Sequence, residues 1–404
     1  MSLNQTERML LMLLRSALQE RTIDPAVLTE EMDWNGLLNL AAQHKLLPMI
    51  VSAIPTEYLP NARILKQTVI RQVVNQTVVS RAFLSLYEKL RQAGFHPLVV
   101  KGIVCRSLYP QGDLRPSGDE DLIVPDHEFE DCCAFLQDLG MEPVGEISLG
   151  SYEIGWQKPG DRLYIELHRS LFPPDSKAYG DLGAFFEHAA EQGADYPTAF
   201  GAAVRSLSAH DHLLYLLLHA YKHFLHSGFG IRQVSDIGLW VCRYRAQIDW
   251  DRLSEQCAAC NTRQFAAAVF GIALHFLEIP LELPVQWRTT PDYCEPLLRD
   301  VLTGGIYGVS DGGRQHASTV TLGAVEADRV GGRTSIWKSV FLKRADMEKK
   351  YPYLKKYPIL LPVAWCQRIW RYLSETRSAG GRITASITVG NERVKLLRHY
   401  GIIK

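Results

Sequence analysis

Apolar positions recur at helical spacing over most of the chain and at strand spacing in one central block. Near the start, Leu10, Leu11, Leu14 and Leu18 form a stripe that predicts a helix over 3–20. Leu37, Leu38, Ala41 and Ala42 begin a second over 33–53, with Asp33 as N-cap and Pro48 as a kink or stop. A long helix is expected over 61–93, closing at Gly94. The period then changes. Residues 97–100 read as a strand, 102–109 as a short helix, and 110–118, dense in turn residues, as a loop. A strand follows over 119–124, an amphipathic helix over 126–140, and strands near 151–157 and 162–168. Helical spacing returns after Pro173-Pro174, over 208–226 with a Ser208-x-x-Asp211 start, 231–246 and 251–278. The stretch 303–335 carries three Gly-Gly pairs and reads as a long loop or linker. The pattern predicts an α+β fold, with a small mixed-sheet core between flanking helical N- and C-terminal regions. Its divisions are an N-terminal helical region over 1–94, an α/β core over 95–205, a helical domain covering a cleft over 206–302, and a Gly-rich linker with a basic aromatic tail over 303–404.

Composition adds a charge asymmetry. The chain of 404 residues carries 44 Lys+Arg against 44 Asp+Glu. Residues 333–404 alone hold 16 Lys/Arg and 4 Asp/Glu, about +12. Such a tail fits an anionic partner (a nucleic acid, a membrane surface or a phosphorylated substrate) or a basic face packed on the acidic body of the same protein. The eight cysteines make no framework: Cys257 and Cys260 form one CxxC with no second pair at zinc spacing, which reads as core packing. The N-terminal stretch has charges among its leucines and reads as an amphipathic helix rather than a signal peptide. No run of eighteen apolar residues occurs, and a cytoplasmic protein with reduced thiols is the expectation.

The chemistry concentrates at 98–124 and 163–168. Asp119 and Asp121 are two apart at the start of a strand, so both carboxylates point the same way. Like charges side by side call for a cation between them, and Mg²⁺ prefers a few carboxylates plus substrate phosphates. Glu166, in a second apolar strand, is a third oxygen ligand or a base for an acceptor hydroxyl. Gly102 follows a strand and allows backbone N–H groups to approach a phosphate. Lys101 is either a triphosphate contact or a surface lysine at a strand end. Arg115 carries a planar fork suited to phosphate oxygens. Ser117 reads as a turn residue or a hydrogen-bond donor, and His168 as a structural residue or an orienter of Glu166. His219 and His223 share a helix face without an HExxH pattern. Arg232 and Asp236, also four apart, read as an intrahelical ion pair or as nucleotide contacts.

These residues carry a resemblance. The segments DWNGLLNLAAQHKLLPMI, KG…LYP…R…D-x-DL-V, ELH, LLLHAYKH…IRQVSDIGLWV and YPYLKKYPILLPVAWCQRIWR resemble an uncharacterised nucleotidyltransferase family of bacteria, within the DNA polymerase β-like superfamily. The resemblance implies a mixed sheet flanked by helices. It also implies metal ligation and catalysis by Asp119, Asp121 and Glu166, with Lys101, Gly102, Arg115, Ser117, His168, Lys222, Arg232 and Asp236 around the nucleotide. The implied reaction is pyrophosphate-releasing transfer from an NTP, expected to be ATP, with Mg²⁺ or Mn²⁺, onto a hydroxyl or phosphate of a small molecule, peptide or protein. The family's usual Gly-Ser appears here as Lys101-Gly102-Ile103, and Glu120 stands where an apolar residue is usual. Transfer from a nucleotide-sugar and a non-catalytic nucleotide-binding regulatory module are the rival readings.

Overall fold

The computed structural model describes residues 3–28, 32–145, 151–174, 176–226, 228–305, 312–329, 344–348, 351–368 and 383–404. The fold is α+β. Helix α1, Gln5–Gln19, starts in a capping box: Asn4 accepts from the Glu7 N–H and Glu7 accepts from the Asn4 N–H. Its stripe, including Leu10 and Leu14, is buried. The helix expected over 33–53 is two, α2 (Trp34–Gln43) and α3 (Leu47–Ala53). The break falls at 44–46, where Lys45 has φ 53°, and Pro48 sits in the first turn of α3, where its missing N–H costs nothing. The long helix α4, Ala62–Gln92, closes as expected before Gly94 at φ 91°.

The core follows in the order β1 (Leu98–Val100), α5 (Gly102–Arg106), β2 (Glu120–Ile123), α6 (Phe129–Asp138), β3 (Glu142–Val144), β4 (Glu153–Gln157) and β5 (Tyr164–His168). The five strands form one mixed sheet in the order β1-β2-β5-β4-β3. Only β2 and β5 run parallel; the other neighbours are antiparallel. Leu122, Trp156, Ile165 and Leu167 are buried on one face. The register aligns Asp121 with Val100 on one side and Glu166 on the other, then Glu166 with Gly155 and Gly155 with Val144. One row across the opposite face is therefore Val100, Asp121, Glu166, Gly155, Val144. A separate hairpin, β6 (Ala194–Pro197) and β7 (Ala203–Ser206), lies where no strand was expected.

Five helices continue the chain: α7 (Ala209–Leu225), α8 (Ile231–Tyr244), α9 (Trp250–Ala259), α10 (Arg263–His275) and α11 (Pro291–Gly304). The helix expected over 251–278 is split near Asn261, which has φ 57°. The linker reading of 303–335 is corrected for its central part, since Gly312–Arg329 is a helix, α12. Thr321 Oγ1 donates to the Leu225 carbonyl at 2.9 Å, and Ala324 and Val325 are buried. Tertiary packing overrides weak local propensity there. Residues 306–311 and 330–335 of that reading lie outside the described residues, as do Trp337 and Trp370. The C-terminal helix, Ile383–His399, packs against α12. Its Arg393 is buried, donates to the Phe224 and His226 carbonyls, and lies 3.5 Å from Asp300. Tyr400 donates to the Tyr293 carbonyl and accepts from the Leu297 N–H. All eight cysteines are free thiols, and Cys257 is buried core as expected. Among the described residues no helix is long and apolar enough to cross a membrane.

Candidate active site

Strand β2 places its alternate side chains on opposite faces. Asp121 faces away from the core, and its parallel neighbour on β5 is Glu166. His168, two residues on, joins them from the same strand face. One ligand atom from each of Asp121, Glu166 and His168 lies within 4.8 Å of the others. His168 Nε2 is 3.2 Å from Asp121 Oδ1 and 3.8 Å from Glu166 Oε2. On its other side, Nδ1 lies 3.5 Å from Glu153 Oε2. Asp119, in the turn before β2, is half-buried and lines the same cavity as Asp121.

The electrostatics separate the two carboxylates. Burial alone would raise Asp121, but the Lys101 ammonium, 3.0 Å from Oδ2, and His168 outweigh it and hold the carboxyl at about 2. At Glu166 the pull of Lys101 and His168 is the weaker influence. Burial, followed by the charges of Asp121 and Asp119, pushes this carboxyl up to about 7. One neighbour is thus firmly ionised, and the other is poised near neutrality.

Lys101 occupies the turn between β1 and α5 at φ 57° and ψ −127°. Its backbone N–H donates to His212 Nε2 at 3.2 Å, and its Nζ lies 3.1 Å from His219 Nε2. His219 in turn meets His223 and the Gln233 amide. Burial first, then Lys101, holds His219 well below the usual histidine range, so it is neutral. The same causes bring His212 and His223 to about 3.

Gly102, at φ 30°, has no room for a side chain: a Cβ there would overlap the Glu120 carboxylate. Glu120 points to the core face, accepts from the Ile103 N–H at 2.8 Å, and pairs with Arg106 at 2.5 Å. These contacts fasten α5 beneath β2. Burial raises the Glu120 pKa, against the pull of Arg106.

Arg115 is buried, and both prongs of its fork go to Asp236, Nε to Oδ1 at 2.7 Å and Nη2 to Oδ2 at 2.6 Å. Burial would lower the guanidinium, but Asp236 overrides it and holds it well above its usual range. Tyr109 also donates to Asp236, at 2.7 Å. The intrahelical partnership expected for Asp236 is therefore replaced by a link from loop to α8, and Arg232 donates to the Pro116 carbonyl. Ser117 is a turn residue: Oγ donates to the Asp119 carbonyl at 2.7 Å, and its N–H donates to Gln76. Lys222 donates to the Tyr152 hydroxyl at 3.3 Å, and burial lowers its pKa.

Lys101, Gly102, Ser117, Asp119, Asp121 and Arg232 line one cavity, with Arg115 and Asp236 in its wall. A second cleft, of about 190 Å³, opens on the other side of Glu166. Glu153, Tyr164, Gln233 and His212 escaped sequence reasoning. Only Glu153 and Tyr164 carried a signal, since Tyr164 alternates in phase with Glu166 and His168 along β5 and Glu153 opens the neighbouring β4 opposite His168.

A divalent cation fits the residues present. Asp121 is buried and ionised, with Oδ2 3.0 Å from the Lys101 ammonium and Oδ1 3.2 Å from His168 Nε2. Two carboxylates and an imidazole nitrogen within 4.8 Å form a donor set for such an ion. A comparison with curated proteins finds no match. The sequence model of a family described as "uncharacterised nucleotidyltransferase" matches residues 30–278, the span from the N-terminal helices through the sheet to α10. With that match over more than half its length, and Asp121 and Glu166 paired across parallel strands, the chain belongs to this nucleotidyltransferase family.

Proposed function

We propose that the protein transfers a nucleotidyl group from an NTP, with ATP the expected donor, to an acceptor hydroxyl or phosphate in a Mg²⁺-dependent reaction that Mn²⁺ also supports. The observation that carries the reading is the parallel β2–β5 register. It sets Asp121 beside Glu166 at the edge of a cavity lined by three cations, Lys101, Arg232 and the Asp236-bound Arg115.

Asp119, Asp121 and Glu166 would hold the ion, with the His168 imidazole in the same donor cluster and hydrogen-bonded to Asp121. The ion, when bound, supplies charge neutralisation at the phosphoryl oxygens. The chain's own groups do the rest. Lys101 and Arg232 attract the triphosphate, and Gly102 forms part of the wall it meets. Ser117, Arg115 and Asp236 fix the loop that carries Asp119. Lys222 braces Tyr152 at the rim. The acceptor oxygen attacks the α-phosphorus while its proton passes to Glu166. The O–Pα bond forms, the Pα–O bond to the β-phosphate breaks, and pyrophosphate leaves with the electron pair. The exposed cations Lys355, Lys356 and Arg398 remain open to an anionic partner, whereas Arg393 is buried in the fold.

Thermal shift with each NTP, with and without Mg²⁺, tests the donor. Ligand at a hundredfold excess over its Kd stabilises by about 2.7 kcal/mol. Incubation with labelled NTP and a small-molecule extract, read by mass, tests transfer. Mg²⁺-dependent stabilisation with an adduct that Asp121→Asn abolishes is the expected result. Stabilisation without any adduct would leave a nucleotide-binding module, and no response to any NTP would refute the reading.

A further inference from the structure

The cleft beyond Glu166 is built by a gap in the row of side chains across the sheet. Next to Glu166 in that row stands Gly155, then Val144. The Tyr164 hydroxyl lies where a Cβ on residue 155 would be, so its phenol folds down as the floor. Glu153 and Ser151 supply the wall.

Glu166 divides its two oxygens between the cavities. Oε2 faces His168 and, through it, Asp121; Oε1 lies 3.4 Å from the Tyr164 hydroxyl in the cleft. A hydroxyl seated against Oε1 is therefore adjacent to the group that takes its proton. A second oxygen of the lining, Glu153 Oε2, lies 3.5 Å from His168 Nδ1. That nitrogen belongs to a side chain only 6 % exposed, and makes no hydrogen bond among the described residues. A buried polar atom is thus left directed at the cleft wall. The lining contributes two carboxylates, and among the described residues no lysine or arginine. Lys222, the ammonium near its rim, is directed to Tyr152. A phosphate entering here would meet Glu153 and Glu166 in the lining, with Lys222 the cation at the rim and that ammonium already held by Tyr152 and the two carboxylates.

The geometry points to this cleft as the acceptor site, and to an acceptor of one class: an alcohol carrying a cationic nitrogen. This rests on the nucleotidyl-transfer reading and narrows it, because it removes phosphate as the attacking group. The hydroxyl lies against Glu166 and the ammonium against Glu153. The balanced reaction is the alcohol plus NTP giving the nucleotidyl ester, pyrophosphate and a proton, the proton leaving through Glu166.

The test separates the two readings. NTP binding is measured first, by thermal shift with Mg²⁺, and its failure in the wild type belongs to the donor proposal alone. A metabolite pool is then split by ion exchange into cationic, neutral and anionic fractions, and each is incubated with the full-length protein and α-labelled NTP. Label is expected in the cationic fraction. Glu153→Gln should raise the acceptor KM about tenfold, the low end for losing a charge-assisted hydrogen bond at a part-exposed site, with the NTP shift unchanged. Should that variant fail to fold, Tyr164→Phe takes its place, with the same split between acceptor KM and NTP binding. Label confined to the neutral or anionic fraction overturns the inference. So does an unchanged KM, or no label in any fraction while NTP binds.

Discussion

Replacing Glu166 by Gln is expected to stabilise the metal-free protein, and to do so more as pH rises. The folded carboxyl sits at about 7 against an ordinary 4.5. An acid raised on folding binds more protons in the native state between those two values, so stability is greatest below the lower one and is lost as pH climbs through the upper one. The difference corresponds to roughly 3 kcal/mol at full strength. The side chain is 29 % exposed, and water screens part of the repulsion from Asp121 and Asp119, so roughly 2–3 kcal/mol is expected. Glutamine keeps the shape and carries no charge. Urea unfolding of wild type and Glu166→Gln in a chelating buffer, at pH 5 and pH 8.5, measures the change. The variant's advantage should be small at the lower pH, near its full value at the higher, and removed by millimolar Mg²⁺, which should stabilise only the wild type. A variant less stable than wild type at pH 8.5, or a gap that does not change with pH, would refute the electrostatic account of the site.

Asp121→Asn should abolish transfer and cost roughly 2 kcal/mol without metal, since its pKa of about 2 means stability present above 3.8 and lost as pH falls through 2; activity and urea midpoints against pH check both. Arg115→Ala should cost roughly 3–5 kcal/mol by leaving Asp236 buried without its ion-pair partner, and Arg115→Lys should recover only part of that, read by urea unfolding. Gly102→Ala should destabilise by roughly 3 kcal/mol or more and abolish the NTP thermal shift, because a Cβ evicts Glu120 from Ile103 and Arg106. Truncation before Ile383 should end cooperative thermal unfolding, because it strips the buried Arg393, Leu397 and Tyr400 and removes the Arg393 guanidinium from beside Asp300.

What the sequence made legible was local. Alternation along a strand is a short-range property, so the orientation of Asp121 and the opposite orientation of Glu120 follow from their spacing. The partner that makes Glu120 tolerable, Arg106, lies on the preceding helix, and nothing in the spacing pairs them. The pairing of β2 with β5 is also hidden, because forty residues and two other strands intervene. It alone puts Glu166 and His168 beside Asp121. Arg115 and Asp236 show the same limit. Each has a plausible local role, and the structure joins them across 121 positions. Gly312–Arg329 fails in the opposite sense. Its glycines, serine and threonines argue against a helix, and contacts with α7 and the C-terminal helix decide otherwise.

Lys101 sets a trap for anyone who stabilises this protein in the laboratory. A backbone at φ 57° and ψ −127° is comfortable for glycine and costs a residue with a Cβ on the order of 1–3 kcal/mol. Lys101→Gly would relax that turn, but it would also strip the ammonium 3.0 Å from the buried Asp121 carboxylate, a loss at least as large as the backbone relief. A screen that rewards heat resistance alone therefore finds no gain at this position, because the strained turn and the charge it delivers stand or fall together.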